Sequence, residues 1–179
     1  MTENNIKINS SRLKDISFGM RVLLVEDDPI IQQQLKVFLL RFFAHIDTAN
    51  NGVEALKLYE KDKYDLIITD LSMPQMGGIE LSIHVKEMDT DQYIIVVSAH
   101  FESDKLIDLL NIGVGGFIIK PVDFTLVIKQ LTKICQVISN RNELKYLNKI
   151  LENKNKELQE SNIQYQSALN ESMNLKKQL

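Results

Sequence analysis

The sequence has one cysteine, no tryptophan, three prolines and seven glycines in 179 residues. One cysteine, Cys135, cannot close an internal disulfide, and no Cys/His grouping has metal-site spacing. Its apolar neighbours Ile134, Val137 and Ile138 read it as a small buried hydrophobe rather than a reactive thiol. A reducing, cytoplasmic setting is the expectation. No run reaches the ~18 apolar residues of a membrane helix, and MTENNIKINSSRLKDISFGM has no signal-peptide core. The net charge of -3 leaves no basic face for nucleic acid. Glycine and proline are both missing after Pro121, so the remaining 58 residues differ in kind from what precedes them.

What is present divides accordingly. Residues 1–19 are polar and are expected to form a mobile leader. Residues 20–138 alternate short β-rich runs with amphipathic helical stretches. RVLLVE (21–26), a short run near 44–47, DLIIT (65–69), YIIVVS (93–98) and GFIIK (116–120) read as strands. Asp28-Pro29 reads as an N-cap with proline in the first helical position, ahead of an apolar face of Ile30, Ile31, Leu35, Phe38, Leu39 and Phe42. Asn51-Gly52-Val53-Glu54 resembles a capping box, with Val53, Leu56 and Leu58 inward. Further helices are expected after Gly77-Gly78 and over 102–112, and Asp123 is expected to cap the last one. Alternating strands and helices predict an α/β, doubly wound, five-stranded parallel sheet.

From Phe124 onward the pattern is one long helix, reaching on the order of 80 Å at 1.5 Å per residue. Leu144, Leu147, Leu151, Leu158, Tyr165, Ala168, Leu175 and Leu179 share a heptad register, interrupted by Lys154, Ser161 and Ser172. A solvated helix is the plain reading. A homodimeric parallel coiled coil over 139–179 is the favoured one, because an apolar stripe of this length needs something to pack on.

The chemistry gathers at the strand ends. The first strand ends in Glu26-Asp27-Asp28, the third in Asp70, the fourth in Ser98 and the fifth in Lys120 before Pro121. In a parallel sheet these ends share one edge, where sites form. Each residue alone has an ordinary explanation as a cap, a turn or a solvated charge; their coincidence at four strand tips does not. Clustered carboxylates call for a cation, and an all-oxygen set suits Mg²⁺ better than zinc. Mg²⁺ and an ammonium could hold phosphoryl oxygens while Asp70 attacks the phosphorus.

VEDD (25–28), TDLSMPQMGG (69–78), VVSAH (96–100) and GGFIIKP (115–121) together resemble the receiver domain of two-component response regulators, of CheY-like fold and strand order 2-1-3-4-5. The resemblance covers about two-thirds of the chain. It implies that Asp70 is the phosphoacceptor, served by a histidine kinase or phosphotransfer protein in a bacterial phosphorelay. Mg²⁺ would be held by Asp27, Asp70 and the Ser72 backbone carbonyl, with Glu26 acting through a bound water. Lys120 would pair with Asp70, and the Lys120–Pro121 peptide would be cis. Ser98 and Phe117 would form the switch pair, and Ser72 and His100 would tune phosphoryl lifetime. Glu26 stands where Asp is commoner, and Phe117 lacks the hydroxyl of the more frequent Tyr. The implied product is a regulatory switch, not an enzyme, relaying its state through the last helix to an output module. Two other classes compete. A haloacid-dehalogenase-type phosphatase would need an Asp where Ser72 stands, and a phosphorylation-independent dimerising scaffold would not need the intact site.

Overall fold

The computed structural model describes residues 3–99 and 103–176, with side chains described over 9–99 and 107–168. Its contacts divide the chain into two compact units, residues 1–139 and 140–179. The first holds five strands: β1 (Arg21–Val25), β2 (His45–Ala49), β3 (Leu66–Asp70), β4 (Tyr93–Ser98) and β5 (Gly116–Ile119). All pairings are parallel, in the order β2-β1-β3-β4-β5. The helices are α1 (Glu3–Ser17), α2 (Pro29–Leu39), α3 (Gly52–Lys61), α4 (Gly78–Met88), α5 (Ser103–Ile112) and α6 (Phe124–Lys176), the last passing from the first unit into the second.

The near-continuous apolar strands arise because both sheet faces are covered. Val22, Leu24, Leu66, Ile68, Ile95 and Val97 join residues of α2 and α6 in one cluster. Leu23, Val25, Ile67, Ile94 and Val96 join residues of α3, α4 and α5 in another. The β-strand period of two thus sorts neighbouring residues into opposite cores. Asp28 caps α2, its carboxylate accepting from the Ile30 and Ile31 N–H groups at 2.8 and 3.1 Å. Asp123 caps α6 in the same way through Thr125 and Leu126.

Two expectations need correction. The supposed mobile leader 1–19 contains α1. Leu13 and Ser17 are fully buried, and Leu13 belongs to the same cluster as Phe42, Phe43, Cys135 and Ile138. The Ser17 hydroxyl donates to the Leu13 carbonyl at 2.7 Å and lies 3.1 Å from the Phe42 carbonyl. Polar composition hid this helix, because among its described residues Leu13, Ser17 and the partly buried Ile16 make the docked face. In α2, Ile30 points outward at 69% exposure, while Leu35, Phe38 and Leu39 carry the buried face. In α3, Leu56 and Leu58 pack inward as expected, partly buried, beside the more deeply buried Ala55 and Tyr59.

Cys135 is buried, and desolvation pushes its thiol up to about 12. A raised acid favours the folded state below its ordinary value near 9, and that contribution is lost as pH rises through about 12. At pH 8 an aromatic disulfide reagent is expected to label Cys135 slowly in the native chain and rapidly in denaturant. The pKa shift alone leaves roughly 1,000-fold less thiolate. Equal labelling rates in both states would contradict this burial.

The second unit is residues 140–176 of α6. Leu144, Leu147, Leu151, Leu158, Ile163 and Tyr165 are all exposed in the single chain. The Lys154 ammonium, at an interrupting position of the stripe, bonds Glu157 at 2.6 Å. The side chain of Leu175, and Leu179 altogether, lie outside the described residues.

Candidate functional site

Four strand ends deliver the site. Glu26 follows β1, and its N–H donates to the Ala49 carbonyl at the end of β2 (3.1 Å). Asp27 follows and is exposed. Asp70 is the last residue of β3 and is buried, as is Glu26. Ser98 ends β4, and its carbonyl accepts from the Lys120 N–H at 2.8 Å. Lys120 follows β5, and the Lys120–Pro121 peptide is cis.

The charges meet at Lys120. Its ammonium lies 2.7 Å from Asp70 Oδ1 and 2.9 Å from Glu26 Oε2, with Glu26 Oε1 at 3.2 Å. Burial pushes the Glu26 carboxyl up; the Lys120 hydrogen bond opposes this, while the nearby Asp70 charge adds to it. For Lys120, burial alone would lower the ammonium's pKa, but hydrogen bonds to Asp70 and Glu26 outweigh it and the net shift is upward. Two buried carboxylates therefore share one half-buried cation.

Carboxylate oxygens of Glu26, Asp27 and Asp70 lie within 4.8 Å of one another. Three acids against one ammonium leave an excess of negative charge in an all-oxygen pocket. That donor chemistry fits a hard divalent cation such as Mg²⁺. The outer oxygen of Asp70, Oδ2, accepts from the Ser72 N–H at 3.0 Å, which fixes the start of the following loop. Phe117 is half-buried against the α3–α5 side of the sheet. His100 lies outside the described residues.

Other residues shape the pocket without having been singled out from sequence. Gly78, the first residue of α4, has its N–H on the Leu71 carbonyl at 3.0 Å. A Cβ there would drive into the Asp70 backbone carbonyl, with Leu71 Cα at 3.3 Å. Gly52 opens α3 with its N–H on the Met76 carbonyl at 3.0 Å, and a Cβ would meet the Met76 side chain at 2.5 Å. The loop after Asp70 is thus gripped at both ends. Gly78→Ala is expected to cost about 1–3 kcal/mol, since backbone rather than a flexible side chain must yield. Urea unfolding would measure it, and a wild-type midpoint would show that the loop can shift freely. The sequence signal was available in the paired glycines 77–78: a close backbone approach is one of the few reasons for glycine at a helix start.

The Response regulator receiver domain family model matches residues 22–132. Among curated proteins, the chain is 34% identical over 125 residues to the two-component response regulator ORR23 of Oryza sativa subsp. indica, covering 69% of this chain and 17% of that protein. It is 35% identical to the chemotaxis protein CheY of Halobacterium salinarum, over 56% of this chain and 84% of that one. The chain therefore spans only a small part of the rice relative's length. These relatives come from a plant and an archaeon, so family membership carries no bacterial assignment. Among solved structures, the response regulator protein TrrA of Thermotoga maritima, in complex with Mg²⁺ and BeF, superposes with a TM-score of 0.59 at 32% identity. That match covers 65% of this chain and 99% of TrrA. No helix among the described residues is long and apolar enough to cross a membrane. With the sheet order, the acid cluster and these matches in agreement, the chain belongs to the response regulator receiver domain family, a regulatory module of two-component systems.

Proposed function

We propose that residues 20–138 are a phosphoacceptor switch, phosphorylated on Asp70 by a histidine kinase or a phosphotransfer protein. The observation that carries this reading is the buried Asp70–Lys120–Glu26 cluster at the carboxyl edge of the sheet, with Asp27 beside it. Asp27, Asp70 and the Ser72 carbonyl would hold Mg²⁺, with Glu26 contributing through water. Bound there, the ion would neutralise phosphoryl charge as it passes to the protein. The Asp70 carboxylate oxygen would attack the phosphorus, forming the acyl phosphate as the P–N bond to the donor's histidine breaks and its imidazole leaves. Lys120 holds the opposing charge before transfer and is placed to take a phosphoryl oxygen after it. Ser98, one strand away, would bond another phosphoryl oxygen, and Phe117 would repack when Ser98 moves. Ser72 and His100 would set the lifetime of the acyl phosphate.

Residues 139–179 would pair with a second copy through Leu144, Leu147, Leu151, Leu158, Tyr165 and Leu175. That coil would carry the state of the switch to an output module or partner. The exposed stripe along α6 supports this part of the reading. The setting expected for such a relay is the cytoplasm.

Intact-mass measurement after incubation with acetyl phosphate tests the central claim. One phosphoryl group should be gained in Mg²⁺ and none after chelation. No gain at any Mg²⁺ concentration would remove the phosphoacceptor reading and leave a scaffold.

A further inference from the structure

The acidic pair has a support that the switch reading does not use. Gln32 sits in the first turn of α2, with its side chain turned back across the strand tips. Its Nε2 donates to the Glu26 carbonyl at 2.8 Å and the Ala49 carbonyl at 3.0 Å, and lies 3.3 Å from Asn50 Oδ1. The backbone ladder between β1 and β2 has its last paired residues at Val25 and Ala49. Glu26 adds one bond from its N–H to Ala49. At that point the side-chain amide of Gln32 bridges the Glu26 and Ala49 carbonyls as a further rung.

The bridge has a direct consequence for Asp27. The carbonyl that Gln32 holds belongs to the Glu26–Asp27 peptide, and that peptide plane sets where the Asp27 Cα and its carboxylate point. With the Glu26 N–H on Ala49 and its C=O on Gln32, both polar groups of Glu26 are fixed. The far side is anchored as well: Glu54 accepts from the Asn50 N–H and from Asn50 Nδ2, each at 3.0 Å, while Asn51 caps the Glu54 N–H at 2.9 Å. From α3 the chain of bonds continues through Gly52 to Met76 and the loop bearing Ser72. Both walls of the acid pocket are therefore tied together through Gln32 and the start of α3.

We propose that Gln32 is a positioning residue for divalent-cation binding: its amide locks the Glu26–Asp27 peptide so that the Asp27 carboxylate is preset toward Glu26 and Asp70. The proposal rests on the Mg²⁺-dependent switch reading. An exposed carboxylate such as Asp27 otherwise samples many directions, and ordering it would weaken cation binding.

The test uses the full 179-residue chain and Gln32→Met, which keeps side-chain length and removes both donors. Calorimetric titration with MgCl₂ alone should give a Kd roughly 10-fold higher than wild type, the low end of outer-shell effects. The Mg²⁺ concentration for half-maximal phosphorylation by acetyl phosphate should rise by the same factor, with the rate at saturating Mg²⁺ retained. Leu35→Val loosens the same helix from its core and should lower Tm while leaving the Mg²⁺ Kd unchanged. If Gln32→Met fails to fold, Gln32→Asn, too short to bridge, takes its place. A wild-type Kd in the Gln32 variant overturns the proposal, as does an equal loss of affinity in Leu35→Val. A wild-type chain that binds no Mg²⁺ overturns the parent reading instead, and is recognised before any variant is measured.

Discussion

Asp70→Asn is expected to abolish phosphoryl uptake from acetyl phosphate altogether, with no mass gain at any Mg²⁺ concentration. The carboxylate oxygen is the nucleophile in the proposed transfer, and an amide of the same shape offers none of comparable strength. The substitution is sterically mild. Asn keeps a carbonyl oxygen that can accept the Ser72 N–H now bonded to Oδ2. Its loss of the 2.7 Å ion pair with Lys120 is offset in part, because the Asp70 charge also pushes against Glu26. Cooperative unfolding should therefore persist, which separates lost chemistry from lost structure. Undiminished phosphorylation of Asp70→Asn would place the acceptor elsewhere.

Lys120→Met is expected to destabilise the metal-free fold by about 3–5 kcal/mol at neutral pH, the usual consequence of removing one partner from a buried ionic cluster. The ammonium is the cation within hydrogen-bond reach of both Glu26 and Asp70, and all three side chains are largely shielded from water. Without it two carboxylates face each other. Glu26 is already pushed above its ordinary value, chiefly by burial, and losing Lys120 removes the contact that opposes this shift. A carboxyl raised in the folded state contributes stability below its unfolded value near 4.5, and that contribution is lost as pH rises through the folded value. The deficit of Lys120→Met should thus shrink as pH falls toward 4.5, and should also shrink on adding Mg²⁺. Denaturant midpoints across pH and Mg²⁺ would show both trends. A deficit independent of both would mean that Lys120 contributes through packing of its aliphatic stem rather than its charge.

The strands and the site were legible because each depends on local pattern. An apolar run ending in a charged residue announces a buried strand and its tip, and parallel topology then brings the tips together. That is why Glu26, Asp27, Asp70, Ser98 and Lys120 could be named from the sequence. Gln32 could not, since its role lies in where a flexible side chain turns, and glutamine in a first helical turn is otherwise unremarkable. The same holds for Met76, whose contact with Gly52 joins segments far apart in sequence. The helix α1 was missed for another reason. ENNIKINSSRLKDIS is poor in apolar residues, and its docking surface is supplied by residues distant in sequence, from Phe42 and Phe43 to Cys135 and Ile138. The direction of Ile30 was missed because an apolar residue in the first turn fits the helical period about as well outward as inward.

The packing of α1 sets the borders at which this receiver could be transplanted. The family match ends at residues 22 and 132, yet Leu13, Ser17, Cys135 and Ile138 are fully buried outside those limits. Arg12 also reaches Gln136 at 3.1 Å, joining the two overhangs directly. A receiver excised at the family borders for a chimera would carry a raw apolar scar on its α2–α6 side. Fusions that retain α1 and α6 through residue 139 keep that seam closed, so the modular piece of this chain is larger than the piece the family model matches.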